Sequence, residues 1–252
     1  MLLLECNDLS FSYHTHTGEI SVIKSVSFRI HKGEFVSIVG PSGCGKSTLL
    51  GLLTGILSPE EGSIKIHYKQ KGTQSFYGYM LQQDHLLEWY DIWDNVCLGP
   101  KINHCLDSAC KEYLHTLLTR YQLDSFAHKK PSQLSGGMRQ RAALIRTLAM
   151  KPELLYLDEP FSALDYQSRL NAADDIGKII QKEGKTAVLV THDIGEAISL
   201  SSRVLVLSKR PATIVKEFVL PFQNTGLSSL EIRNLPEFST YFNLIWKELN
   251  TT

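Results

Sequence analysis

Residues 40–50 read GPSGCGKSTLL. Three glycines and a lysine follow directly on an apolar run, FVSIV at residues 35–39. Glycine loses more backbone entropy on folding than any other residue, so a packed core has no use for that density. The spacing G-x-x-x-x-G-K-S/T is met in full, after a predicted strand and before a predicted short helix, STLLGLL, that stops at Gly55. Gly40, Gly43 and Gly45 let successive N–H groups turn inward on phosphate oxygens. The helix adds its free N–H groups and the positive end of its dipole. Lys46 brings a mobile positive charge to the outer phosphates, and Ser47 offers a hydroxyl to magnesium. The stretch Gly40, Pro41, Ser42, Gly43, Cys44, Gly45, Lys46, Ser47, Thr48 thus reads as a phosphate cradle. Within it Cys44 reads as a small filler, its thiol open to modifying reagents beside the nucleotide.

Working outward, residues 25–40 read as a strand to Ile30, a turn at His31, Lys32 and Gly33, and a strand to Val39. GSIKIHY at residues 62–68 reads as another strand. The middle of the chain changes period. Over residues 107–121 the apolar positions are Cys110, Tyr113, Leu114, Leu117, Leu118 and Tyr121, the stripe of an amphipathic helix. Residues 86–131 read as a mostly helical insertion. Strand and helix then alternate again. ELLYLD at 153–158 and TAVLVTHD at 186–193 are apolar throughout and end on ionisable residues. Such runs suit strands of a parallel sheet buried on both faces, whose ligands sit beyond the carboxyl ends of the strands.

Those ends supply a second set of groups. Asp158 is placed to hold magnesium, directly or through water, and Glu159 to act as general base on an attacking water. Adjacent acids closing an apolar strand are costly unless a cation or hydrogen bonds satisfy them. The competing reading is an N-cap acid with a solvated neighbour. His192 ends the next run, either as a satisfied core histidine or in contact with the γ-phosphate or the water.

Composition bounds the rest. The 252 residues are 43% hydrophobic, enough for a sizeable core, and the 26 Lys+Arg balance 26 Asp+Glu. Net neutrality argues against a chain held on nucleic acid or anionic lipid by overall charge. No apolar run approaches the roughly 20 residues needed to span a bilayer. The start, MLLLECNDLS, has no basic n-region or small-residue cleavage site, so no signal peptide is expected. Cys6, Cys44, Cys97, Cys105 and Cys110 contain no CxxC and are expected to be reduced cytosolic thiols.

LSGGMRQR at residues 134–141 closely resembles the signature of ATP-binding cassette (ABC) transporter nucleotide-binding subunits. The order of phosphate loop, glutamine, signature, LYLDEP, SALD and histidine is similar as well, and the resemblance spans residues 3–219. It implies an α/β fold: a P-loop NTPase core with a parallel sheet, an N-terminal antiparallel β subdomain and a helical signature subdomain. The implied division of this single ABC ATPase domain, 1–252, is about 1–85 with 150–225, a helical part about 86–149, and a C-terminal helical tail 226–252. It further implies ATP and Mg2+ as ligands, and roles residue by residue. Tyr13 resembles the aromatic that stacks on adenine, or else packs an edge strand on the core. Gln82 looks like the glutamine that reaches magnesium and senses the membrane partner, with Gln83 as the competing position. Ser135, Gly136 and Gly137 resemble the residues that cap the γ-phosphate bound to an opposite subunit, before a helix read from Met138 to Met150. Asp165, closing SALD, resembles the acid that couples the two sites.

The implied partners are a second cassette, making a homodimer or a pair with a homologue, the membrane permease subunits, and indirectly a solute-binding protein. No nucleic acid is implied, and the implied location is the cytoplasmic face of the membrane, peripherally bound. Several stretches resemble the nitrate/sulfonate/taurine importer group, among them VTHDIGEAISLSSRV and EIRNLPEFSTYFNLIWKEL. Leu87-Glu88 where the group reads Leu-Pro, Ser202 before Arg203, and SKRPATIV depart from it. The alternatives are a soluble ABC ATPase without a transport role and an exporter motor. Trp89, Tyr90 and Trp93 mark either a docking surface for a membrane subunit or the core of the helical part. His14 and His16 read as a solvated loop.

Overall fold

The computed structural model of the chain describes residues 1–16, 18–68, 76–222 and 227–251. In chain order its strands are β1 (Leu2–Thr15), β2 (Gly18–His31), β3 (Phe35–Val39), β4 (Glu61–Ile66), β5 (Tyr77–Met80), β6 (Leu154–Asp158), β7 (Thr186–Thr191), β8 (Arg203–Leu207) and β9 (Ile214–Val219). Its helices are α1 (Lys46–Leu53), α2 (Ile92–Val96), α3 (Leu98–Ile102), α4 (Ser108–Arg120), α5 (Gly136–Leu148), α6 (Tyr166–Lys182), α7 (Ile194–Leu200), α8 (Ser229–Arg233) and α9 (Pro236–Thr251). These elements fall into two units, Met1–Tyr68 with Gly184–Thr252, and Lys69–Glu183.

In the first unit, β1 pairs antiparallel with β2 on one side and β4 on the other. A turn at Lys32 and Gly33, with Gly33 at φ +82°, redirects the chain into β3. The strand β3 lies between β7 and β8, parallel to both, and β9 adds to β8 antiparallel. Every residue of β7 is buried, as are all of β3 but Phe35 and all of β8 but Arg203. That is why these runs carry no polar alternation. Val39, Val204 and Val206 pack against Ile194, Ala197 and Ile198 of α7, Ile232 of α8 and Ile245 of α9. Burying each such aliphatic side chain contributes about 1.5–3 kcal/mol. The helices α8 and α9 occupy the predicted tail 226–252, of which residues 226 and 252 lie outside the described residues.

In the second unit, β5 and β6 run parallel, from Tyr77 opposite Leu154 to Met80 opposite Leu157. Every regular element within residues 86–149 is helical, and the unit also takes in β5, β6 and α6. The helix read over residues 107–121 is α4, with Asp107 as its N-cap accepting from the Cys110 N–H at 2.7 Å. Leu114, Leu117 and Leu118 are its buried stripe. The helix expected to start at Met138 starts instead at Gly136. The Ser135 hydroxyl accepts from the Met138 N–H and takes the cap position, so Gly136 and Gly137 form the first turn of α5.

Candidate nucleotide site

The phosphate loop joins β3 to α1 in the first unit. Two of its glycines are required by conformation: Gly43 at φ +73° and Gly45 at φ +123°. At Gly45 a Cβ would also meet Val22 Cγ1 at 2.7 Å. Gly40 is required by space, since a Cβ there would lie 2.8 Å from Cys44 Sγ and 3.1 Å from Leu207 Cβ. Lys46 is buried, and its ammonium donates to the Gly40 carbonyl at 2.9 Å and the Pro41 carbonyl at 3.1 Å. A cationic donor thus sits inside a glycine-built hollow, the donor set that a triphosphate requires. The residues fit the ligand.

Cys44 is a filler, as its sequence context suggested, but its thiol is not open to reagents. It is 2% exposed and packs beneath Gly40 rather than meeting reagents. Burial pushes its thiol up, against the pull of the Lys46 charge. The thiol is therefore a packing group. Ser47 is exposed at the start of α1, and Thr48 is half-buried. Tyr13 is 43% exposed, its ring edge-on to Phe11 and its hydroxyl 3.4 Å from Thr48 Oγ1. At Tyr13 the strand β1 pairs with β2, opposite Ile20, while its pairing with β4 ends at Ser10, so the residue lies on a locally open edge with its ring part-exposed. His14 also lies on β1, with Nε2 2.6 Å from the Glu60 carboxylate, rather than in a solvated loop.

The pairing of Val39 with Thr191 places the residues that follow them, Gly40 and His192, at neighbouring strand ends. His192 is exposed there, which removes the core-histidine reading. The turn behind it is held by Thr191, whose hydroxyl donates to Glu196 at 2.7 Å and accepts from the Asp193 N–H at 3.0 Å.

The second unit carries the carboxylates and the signature. Asp158 is 8% exposed at the end of β6, and the Tyr79 hydroxyl donates to its Oδ2 at 3.1 Å. Burial, and then the Asp158 charge, push the Tyr79 phenol well above its ordinary range, so it remains a donor. Glu159 follows in the left-handed region at φ +43°. A non-glycine residue there costs about 1–2 kcal/mol. The Glu159 carbonyl accepts from the Ser162 N–H at 3.2 Å and the Ser162 hydroxyl at 3.0 Å. Gln82 Nε2 in turn donates to Ser162 Oγ at 3.2 Å. Gln83 instead lines a cavity of about 460 Å³ with Asp84, Arg139, Gln140 and Leu164.

Arginines of α5 hold the segment after Gln82. Arg139 makes two hydrogen bonds to Asp84, at 2.8 and 3.1 Å, and one to Glu88 at 2.9 Å. Arg146 donates to the Asp84 and His85 carbonyls at 2.6 and 2.7 Å. Burial pushes the Asp84 carboxyl up, but the Arg139 hydrogen bonds, the Leu86 N–H and the charges of Arg139 and Arg146 together leave it below the usual carboxylate range. Burial lowers Arg146, against the Asp84 charge. Ser135 and Gly136 are exposed at the head of α5. Asp165 caps α6, accepting from the Ser168 N–H at 3.1 Å, and the Ser168 hydrogen bonds hold its carboxyl low. Trp93 is half-buried and stacks on the exposed His115 of α4 at 4.1 Å, whereas Trp89 is 69% exposed and Tyr90 is exposed beside it.

Sequence reasoning missed Ser162, Arg139 and Arg210 as contributors. Arg210 donates to the Gly43 carbonyl at 2.6 Å across 167 residues of chain. Ser162 stood inside SALD, where only the closing acid drew a role.

The glycine cradle, buried lysine and capped signature helix belong to one class of protein: residues 23–162 match the ABC transporter family, and the chain belongs to it. It is an ATP-binding, ATP-hydrolysing cassette. It is similar, at 42% identity, to the uncharacterized ABC transporter ATP-binding protein YtlC of Bacillus subtilis, over 100% of this chain and 97% of that protein. It is 36% identical to the taurine import ATP-binding protein TauB of Roseobacter denitrificans, over 96% of this chain and 94% of that protein. Among solved structures, the dimeric post-hydrolysis state of the ATP-binding cassette MJ0796 bound to ADP and Pi matches with a TM-score of 0.72 and 30% identity. It covers 86% of this chain and 99% of that one. Among the described residues no helix is long and apolar enough to cross a membrane.

Proposed function

We propose that this chain is the motor subunit of an importer, coupling ATP-driven closure of a cassette dimer to uptake of a small solute such as nitrate, a sulfonate, taurine or a related compound. The carrying observation is the nearly full-length similarity to a taurine import ATP-binding protein. Lys46 and the loop N–H groups bind the phosphates, and Tyr13 offers its exposed ring to the adenine. Ser47, Gln82 and Asp158 would hold Mg2+, which when bound supplies positive charge to the phosphate oxygens. Glu159 takes a proton from the attacking water, and His192 orients that water or the γ-phosphate. Ser135, Gly136 and Gly137 present the head of α5 to the nucleotide of a second cassette, and Asp165 couples the two sites. Closure is the work stroke because ATP binds the closed state better than the open one. Trp89 and Tyr90 form the docking surface for a permease subunit at the cytoplasmic face of the membrane.

The test is a tagged pull-down from detergent-solubilised membranes of the native host, read by mass spectrometry. Recovery of a polytopic membrane protein, with a solute-binding protein, is expected. Recovery of soluble partners only would overturn the importer reading and leave the cassette a soluble ATPase.

A further inference from the structure

We propose that Ser162 is a positioning residue for hydrolysis: its hydroxyl ties the Gln82 side chain to the backbone of Glu159 and so sets the direction of the carboxylate. The inference rests on the proposed role of Glu159 as general base. A serine hydroxyl has one proton and two lone pairs. Here the proton goes to the Glu159 carbonyl at 3.0 Å, and a lone pair accepts from Gln82 Nε2 at 3.2 Å. The Ser162 N–H joins it on the same carbonyl at 3.2 Å.

Three features make this bond a determinant of geometry. Glu159 sits at φ +43°, a small well for a residue with a side chain, so its carboxylate direction depends on how firmly its peptide is held. Pro160, next in the chain, has no N–H and a fixed φ, so it adds no hydrogen-bond donor to the turn. Phe161 is fully buried and anchors the segment. The hydroxyl of Ser162 donates to the Glu159 carbonyl, and it also reaches an exposed residue, Gln82, 80 positions earlier. A shift of Gln82 therefore removes a donor from the hydroxyl that fixes the Glu159 peptide. Gln82 acts on the base through Ser162, besides any direct contact with magnesium.

The experiment is steady-state ATP hydrolysis by the full chain with Mg2+, for wild type, Glu159→Gln, Ser162→Ala, Ser162→Thr, Gln82→Ala and the Gln82→Ala/Ser162→Ala double variant. Ser162→Ala is expected to lower kcat about tenfold with KM for ATP within about twofold, because base alignment acts on the transition state rather than on binding. Ser162→Thr, which keeps the hydroxyl, is expected to recover kcat to within about threefold of wild type. With Gln82 already replaced, losing Ser162 is expected to cost less than about threefold, since residues of one network are non-additive. A wild-type kcat in Ser162→Ala, equal losses in the Ala and Thr variants, or additive losses in the double variant would overturn the inference. If Glu159→Gln turns over at the wild-type rate, the general-base reading falls, and the inference with it. A silent Glu159→Gln beside a full-rate Ser162→Ala overturns the inference alone.

Discussion

The ammonium of Lys46 is folded back onto the Gly40 carbonyl, 2.9 Å away, at the start of the same loop. The loop is thereby closed by its own lysine, with the Pro41 carbonyl as second acceptor. A bound triphosphate must draw that charge outward. A stronger acceptor wins this exchange, because a phosphate carries full negative charge and a carbonyl only a partial one.

Replacing Lys46 with Ala is accordingly expected to lower ATP turnover by at least about 100-fold. Turnover by malachite-green assay and nucleotide affinity by fluorescence check this. Full turnover in the variant would remove Lys46 from the site.

Glu159 is expected to show a conflict between stability and activity. Glu159→Gly and Glu159→Ala both remove the carboxylate, so both should be silent in hydrolysis. They differ at φ +43°, where a Cβ costs about 1 kcal/mol or more. Chemical denaturation should therefore find the Gly variant the more stable of the two. An Ala variant as stable as the Gly one would show that the backbone there relaxes.

Glu159→Gln is expected to bind ATP, hydrolyse it at a rate near background, and accumulate as an ATP-bound dimer. Multi-angle light scattering with saturating ATP reads this directly. A strictly monomeric variant, with and without the membrane partner, would argue against the paired-cassette arrangement.

Ser135 has two jobs that can be separated. As N-cap of α5 it accepts from the Met138 N–H at 3.4 Å, and Ser135→Ala is expected to cost about 1 kcal/mol of stability. As part of the signature it should lower turnover more than ATP affinity of the isolated chain. Ser135→Asp keeps a capping oxygen, so it should restore the stability and not the turnover. Equal recovery of both would leave only the capping role.

Asp84 sets an acid-dependent term. The Arg139 bonds, with the Leu86 N–H and the Arg146 charge, hold its folded pKa below the unfolded value of about 3.9, so its stabilisation is present above that pH and lost as pH falls through the folded pKa. Asp84→Asn is expected to be less stable than wild type by about 1–3 kcal/mol at neutral pH, with the gap narrowing towards pH 3. Denaturant titrations at several pH values measure it. A gap that does not change with pH would mean that the paired charge contributes nothing.

The parts legible in the sequence were those with local causes. The phosphate loop was readable because its glycines and lysine act within eight residues, and the helix α4 because a stripe at 3.6-residue spacing has one way to bury Leu114, Leu117 and Leu118. The apolar runs of β6 and β7 announced burial on both faces. Helix α5 began two residues early because capping by Ser135 outweighed the low helix propensity of two glycines.

The sequence by itself determined which residues bear the chemistry, since cradle, carboxylates and signature are each written in a few consecutive positions. Tertiary structure alone decided how they are held. It put Arg210 on Gly43, Arg139 on Asp84, and Ser162 between Gln82 and the strained Glu159 peptide. Most of these contacts join residues 55 to 167 positions apart, so they arise only when parallel strands and their crossovers bring distant segments to common ends. No local spacing encodes such a meeting, because the partners lie far apart in the chain and meet only once strands and crossovers are in place.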